Sequence, residues 1–126
     1  MSFDLEWAED GIVFHYYGAT TSVDFQASMD QFYRDERSDS IKYQIADFSR
    51  ARLVGLRKQD VAQVAALDHG ASQYLKNLRV AIVPPPEDSD ASAYFQQYCD
   101  ILATLGTGWE TSLQDSLDHA RAWVAR

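Results

Sequence analysis

The succession of apolar patterns along this chain predicts an α/β fold: a mostly parallel sheet of four to five strands with one antiparallel edge strand and about four helices, in a single domain over residues 1–126. Three observations carry that expectation. The chain opens with two extended segments joined by Glu9-Asp10-Gly11, the pattern of a hairpin. Helix-period stripes then alternate with short apolar runs, and each helical stretch has the length of a right-handed crossover between parallel strands. The run at residues 43–48 is apolar on both sides, as expected where helices cover a central strand.

Phe3-Asp4-Leu5-Glu6-Trp7 alternates apolar and polar side chains and reads as the first strand; residues 12–17 return as the second and stop at Gly18. Thr20, Thr21 and Ser22 offer N-cap hydroxyls, with Asp24 three residues beyond Thr21 in a capping-box position. The helix that follows carries Phe25, Met29, Phe32 and Tyr33 in one stripe, and the charged run 34–40 is a loop. Residues 43–48 form the central strand, with Tyr43, Ile45 and Asp47 on one face and Ala46 and Phe48 on the other; Ser49, Arg50 and Arg52 fall in the loop beyond it.

After the turn Leu53-Val54-Gly55-Leu56, a second helix runs from Asp60 to about Leu75 with Val64, Leu67, Ala71 and Tyr74 on one side. Gly70, about 1 kcal/mol worse than alanine inside a helix, weakens its last turns. Residues 78–83 are a β-branched strand stopped by Pro84, Pro85 and Pro86, none of which can donate to a ladder. Asp88 or Ser89 caps a third helix with the stripe Tyr94, Tyr98, Ile101, Leu102 and Leu105, closed by Gly106. Trp109-Glu110-Thr111 is a brief extended piece. Ser112 with Asp115 then opens a last helix carrying Leu113, Leu117, Ala120, Trp123 and Val124, in which Trp123 is expected to anchor the C-terminus on the sheet.

A content of 46% apolar and 24% charged residues is that of an ordinary globular domain. The longest apolar runs fall far short of the roughly 18 to 20 residues of a spanning helix, and the start lacks the basic-then-apolar layout of a signal peptide, so the expected location is cytoplasmic. Cys99 is the sole cysteine, which excludes an internal disulfide and a Cys-x-x-Cys zinc site. A net charge of −8 disfavours nucleic acid and anionic lipid, with one local exception: Arg50, Arg52, Arg57 and Lys58 crowd together after the central strand.

That cluster, with Asp47 and Ser49, lies at the carboxyl end of the central strand, where open α/β sheets place their ligands, and forms the candidate binding surface. Thr20 and Thr21, at a helix start, could hold an anion, although capping is their commoner role. Asp47 and Ser49 equally suit bonds to nearby backbone, and the four cations equally suit pairing with surface carboxylates. His15, His69 and His119 have no spacing that converges on a metal, and Cys99 beside a helix stripe reads as a packed small hydrophobe. The chain has no Gly-x-Ser-x-Gly elbow, no phosphate-binding glycine loop and no dinucleotide fingerprint. No cofactor is expected. Aromatic residues, 13% of the chain, fall mostly on helix stripes and so in core; a pocket lined by such rings between the second and third helices would suit a flat or apolar ligand.

The leading hairpin with its aromatic return strand, Ile45-Ala46-Asp47-Phe48-Ser49 at the end of a central strand, Arg79-Val80-Ala81-Ile82-Val83, and the closing Trp109-Glu110-Thr111-Ser112-Leu113 before a helix with Ala122-Trp123 resemble the SpoIIAA-like proteins. That group is related to the STAS domains of anti-sigma-factor antagonists. The resemblance implies a regulatory or protein-interaction module of a bacterial kind. In STAS antagonists an Asp-Ser-Ser-Gly type segment opens the next helix and one of its serines takes phosphate. Residues 52–60 here contain no serine or threonine, so the switch is expected to be absent. The wider fold group includes lipid-carrier domains, which makes a small-molecule or lipid carrier the alternative. The expected partner is thus a protein or a small ligand, with no nucleic acid and no membrane span, and a homodimer stays open. An enzyme built on Asp47 and a histidine brought near it by the fold is the third and least favoured class.

Overall fold

The computed structural model describes residues 2–86 and 88–126. Among them the element order is β1 (Phe3–Trp7), β2 (Gly11–Thr20), α1 (Ser22–Arg34), a 3-10 helix (Glu36–Asp39), β3 (Tyr43–Leu53), α2 (Lys58–Ala71), β4 (Arg79–Val83), α3 (Ser89–Thr104), β5 (Glu110–Leu113) and α4 (Leu117–Ala125). The strands form one sheet in the order β1-β2-β3-β4-β5, with β1 antiparallel to β2 and every other pair parallel. The α/β class, the parallel sheet and its antiparallel edge strand are as the sequence predicts.

Each crossover from β2 onward moves one place in the same direction across the sheet. Right-handed connections then put their helices on one face. The main core accordingly joins that face to α1, α2 and α3 through Phe25, Phe32, Val61, Phe95 and Leu102. α4 follows the last strand and covers the other face, where Val13, Ile45, Ala81, Val83 and Ala120 form a smaller cluster. The small side chains of Ala81 and Ala120 let that helix lie close to β3 and β4. On α1, burial of Phe25, Met29 and Phe32 contributes about 2 kcal/mol for each side chain.

Helix ends follow local chemistry. The Thr21 N–H donates to the Asp24 carboxylate at 2.8 Å, the predicted box. Asp88 caps α3 by accepting from the Ala91 N–H at 3.0 Å. At its far end Gly106 takes φ 66°, and the bonds Gly106 N–H to Ala103 and Thr107 N–H to Leu102, both 3.1 Å, complete a Schellman motif.

Four expectations need correction. β2 and β3 run on past Gly18 and Phe48, pairing Gly18 with Ala51, Ala19 with Arg52 and Thr20 with Leu53, so Ser49, Arg50 and Arg52 are strand residues and not loop residues. The register shifts from His15↔Asp47 to Tyr17↔Arg50, two steps on β2 against three on β3, which is a bulge in β3. The buried side of α2 is Val61, Ala65, Asp68 and Ala71, while Leu67 and Tyr74 are 50% and 60% exposed. Reading Leu67 and Tyr74 as the apolar stripe fails because an aspartate occupies the inward position. The last helix starts at Leu117 and is capped by Ser116, whose hydroxyl accepts from the His119 N–H at 3.1 Å; Ser112 and Leu113 belong to β5. Ala120 is the fully buried residue of that helix, and Trp123 is only partly covered.

Candidate functional site

The sheet brings the predicted residues to one end of the molecule. Val54 N–H donates to the Thr20 carbonyl at 2.9 Å, so the start of α1 and the segment after β3 are neighbours. β4 ends opposite Asp47, and β3 continues for six residues beyond it alongside β2. Past the bulge, Ala51 and Leu53 pack into the three-helix core, so alternation turns Arg50 and Arg52 to the opposite face. Both arginines are exposed, as is Lys58, and among the described residues none of the three has an ion-pair partner. Arg57 differs: its backbone N–H and guanidinium bond to Asp60 at 2.9 and 3.3 Å, which closes the N-terminus of α2 and holds the Asp60 carboxyl below its ordinary range. Thr20 is buried and donates to the Gly18 carbonyl at 3.1 Å, and Thr21 is spent on its cap.

Asp47 is 4% exposed, and one carboxylate oxygen accepts the Ser49 N–H at 2.9 Å, a local bond that shapes the bulge. Its register partner is His15, whose Nδ1 lies 3.9 Å from the other oxygen, beyond hydrogen-bond range. Nε2 of the same ring bonds Glu6 at 2.7 Å, and Arg121 of α4 stands 3.6 Å from Glu6. The His15 bond, with Arg121 helping, keeps the Glu6 carboxyl below its ordinary range. A histidine does therefore sit beside Asp47. Among the described residues neither ring nitrogen reaches a hydroxyl or thiol, so this row across β1, β2 and β3 has no nucleophile to activate.

The strand order has no reversal, and all three crossover helices share a face. The crevice that opens at a switch point in doubly wound sheets is therefore missing at the ends of these strands.

Interior space lies elsewhere, under the three helices. A cavity of about 80 Å³ is walled mainly by Phe14, Phe25, Phe48, Phe95 and Val80, with Gln44, Asp68, Tyr98 and Tyr16 as its polar members, the Tyr16 hydroxyl being engaged with Ser28 at 2.7 Å. The rings are ordered by mutual contact: Tyr16 stacks on Phe48 at 4.4 Å, and Phe25 meets both edge-on at 5.8 and 5.4 Å. Asp68 is 2% exposed and its two oxygens accept from the hydroxyls of Tyr33 on α1, 2.8 Å, and Tyr98 on α3, 2.6 Å. Burial raises its carboxyl from 3.8 to about 6, with the two tyrosine bonds opposing. The same burial, with Asp68 nearby, raises the hydroxyls of Tyr33 and Tyr98 above their ordinary value. Gln44, on β3, is 5% exposed and its amide nitrogen has no hydrogen-bond partner.

Sequence reasoning passed over Gln44 and Asp68, and it named His15 only among the histidines without a metal spacing, leaving open which histidine the fold would bring to Asp47. Asp68 had a legible signal, since it falls three and seven residues after Ala65 and Val61 and so shares their face. Gln44 had none beyond its place between Tyr43 and Ile45. Among the described residues no group of three or more His, Cys, Asp or Glu side chains is placed to hold a metal ion, and no helix is long and apolar enough to cross a membrane.

No protein-family model matches this chain, and no curated protein sequence does. Among solved structures, an uncharacterized protein of the DUF3478 family with a SpoIIAA-like fold, from Shewanella loihica PV-4, is similar over 97% of this chain and 91% of its own, with a TM-score of 0.57 and 17% sequence identity. The likeness is one of fold. This chain has a SpoIIAA-like fold.

Proposed function

We propose that this domain is a non-enzymatic regulatory module of the cytoplasm that docks a protein partner with an acidic surface on the projecting end of β2 and β3. The observation that carries the reading is the placement of Arg50 and Arg52: exposed, on one face of a strand that outruns β4, and without a carboxylate partner among the described residues. Lys58, exposed at the start of α2, adds to the same end. The chain as a whole carries −8, but charges more than about 8 Å away are largely screened in physiological salt, so a local basic patch governs a close contact. The lack of serine and threonine in residues 52–60 supports a module that works without the phosphoserine switch, and the lack of a nucleophile near His15 among the described residues supports binding over catalysis.

The test is Arg50→Glu with Arg52→Glu. Exposed charges of this kind are worth about 1 kcal/mol or less, so the melting temperature should stay within a few degrees of wild type. Partners recovered with the wild-type protein, and cross-linked to residues 49–58 by mass spectrometry, should be lost from the double variant and released from the wild type by moderate salt. Recovery of the same partners by both proteins places docking elsewhere. A large loss of stability makes the two arginines structural counter-ions.

A second reading, a small-molecule carrier, is favoured by the cavity beside Gln44. At about 80 Å³ it is well below the roughly 300 to 1,000 Å³ of drug-sized sites, which leaves no room for an acyl chain and restricts the cargo to a small compound. Native mass spectrometry of freshly purified protein tests it, by a mass increment that survives gentle desolvation.

A further inference from the structure

The amide of Gln44 has an incomplete environment. It sits in the middle of the sheet, 95% covered, on the face packed by helices, where a leucine would fill the space with no polar group to satisfy. Its N–H₂ has no partner, and a buried donor left unbonded is a standing cost to the fold. Around it the cavity is aromatic and aliphatic. Its nearest rivals for polar contact are already engaged, since both oxygens of Asp68 accept tyrosine hydroxyls.

We propose that this cavity is a binding site for a small, uncharged, mainly apolar molecule that carries one hydrogen-bond acceptor, such as an aromatic ketone or carboxamide, with Gln44 as the donor that orients it. The proposal rests on the small-ligand reading above. Each part of the ligand description has its reason. The acceptor answers the orphan N–H₂. A flat ring suits walls made by Phe14, Phe25, Phe48 and Phe95, which meet a guest by edge or face. An anion is disfavoured by the carboxyl of Asp68 on the same wall, and a cation would meet the positive end of the Gln44 dipole while finding the carboxylate already satisfied.

The way in is between α1 and α2. These helices make few contacts with each other, unlike α2 and α3, and a surface groove of about 700 Å³ lies between them. Phe25, Met29 and Val64 line both that groove and the cavity, so they form the partition. Met29 is the adaptable member, an unbranched side chain that changes shape without breaking a hydrogen bond. A guest ring larger than the present cavity is admitted by its displacement, with any substituent left in the groove. Tyr33 spans the same gap through its bond to Asp68.

The experiment is a titration of the ¹⁵N-labelled full chain, followed by NMR, with four monosubstituted benzenes: acetophenone, toluene, benzoate and benzylamine. Acetophenone should move the Gln44 side-chain amide and the backbone signals of Met29 and Val64, and should bind about tenfold tighter than toluene, the ratio expected of one buried hydrogen bond. Gln44→Leu should keep the fold and erase that ratio by lowering the affinity for acetophenone towards that for toluene, because the ketone loses its donor while toluene never had one. Val64→Trp, which blocks the partition, should abolish binding of both. Equal affinity for toluene and acetophenone in the wild type, or preference for benzylamine or benzoate, overturns the assignment of Gln44 and the ligand class while leaving a small-ligand site standing. No shift at the lining residues with any probe at millimolar concentration overturns the site itself.

Discussion

Asp68 should make this domain lose stability with rising pH over a range in which paired carboxylates ordinarily add to it, and Asp68→Asn isolates the effect. In the folded chain its carboxyl is raised from 3.8 to about 6 by burial. Between those two values the native state holds a proton that the unfolded state has released. Stability changes with pH in proportion to protons bound by the unfolded state minus those bound by the native state, so the slope is negative there and vanishes above and below. At about 1.36 kcal/mol for each pH unit, the whole contribution is roughly 3 kcal/mol, fully present only below about pH 3 and lost by about pH 7. The groups facing the carboxyl are Tyr33 from α1, Tyr98 from α3 and, more distantly, Tyr16 from β2, and all three have their hydroxyls raised above the ordinary tyrosine value, so none titrates in this window. Asparagine preserves the shape, and a tyrosine hydroxyl can turn to accept from its amide. Glu6, Asp35 and Asp60 are lowered and act in the opposite sense, which is why the difference between variant and wild type is the quantity to read. Urea unfolding followed by the fluorescence of the three tryptophans, from pH 4 to 7.5, should show the variant gaining roughly 2 to 3 kcal/mol on wild type across the interval. A flat difference curve refutes the argument, because it means water reaches the carboxyl. A falling one means that the two tyrosine bonds outweigh burial.

Gln44→Leu should raise stability by about 1 to 2 kcal/mol in chemical denaturation, since it removes a buried donor without a partner; a loss of similar size would show that the amide is satisfied. Trp123→Ala should cost about 2 kcal/mol, less than the roughly 3 to 5 of a fully enclosed tryptophan, because the ring is only partly covered. A loss above about 4 kcal/mol in the same assay would make it the anchor of the C-terminal helix after all. Gly106→Ala should cost about 1 kcal/mol by forcing a Cβ into the left-handed region, and a melting temperature unchanged within error would show that α3 ends in another way in solution.

Much of the fold could be read from residues close together in the chain, because strands and helices declare themselves by local periods and their ends by local hydrogen bonds. Thr21 with Asp24, Asp88 and Gly106 sit at their predicted caps. The strand order was not legible in the same way, since right-handed crossovers fix the hand of each connection and leave the direction of each step across the sheet open. What the sequence misled on was length and facing. The extension of β3 past Phe48 exists because β2 supplies a ladder partner for it, and the bulge that turns Arg50 and Arg52 outward is a property of the pair and not of either strand. The inward face of α2 is likewise set by its neighbours: Tyr33 and Tyr98 arrive from other helices with hydroxyls that make a buried aspartate tolerable, and Leu67 is left outside.

The candidate sites divide along the same line. The basic cluster of residues 50–58 was legible as a run of charges, and the sequence by itself determined that it would lie near the exit of the central strand. Only the tertiary structure decided that Arg57 is taken by Asp60, that His15 of β2 stands beside Asp47 of β3, and that Gln44, Asp68 and Tyr98 meet around one cavity. The physical reason is distance along the chain. A cap or a turn is made by groups a few residues apart, whose encounter the backbone enforces, whereas an unpartnered amide, a desolvated carboxyl and an interior cavity are defined by what segments far apart in the chain supply or fail to supply, as with the bonds from Asp68 to tyrosines 35 and 30 residues away.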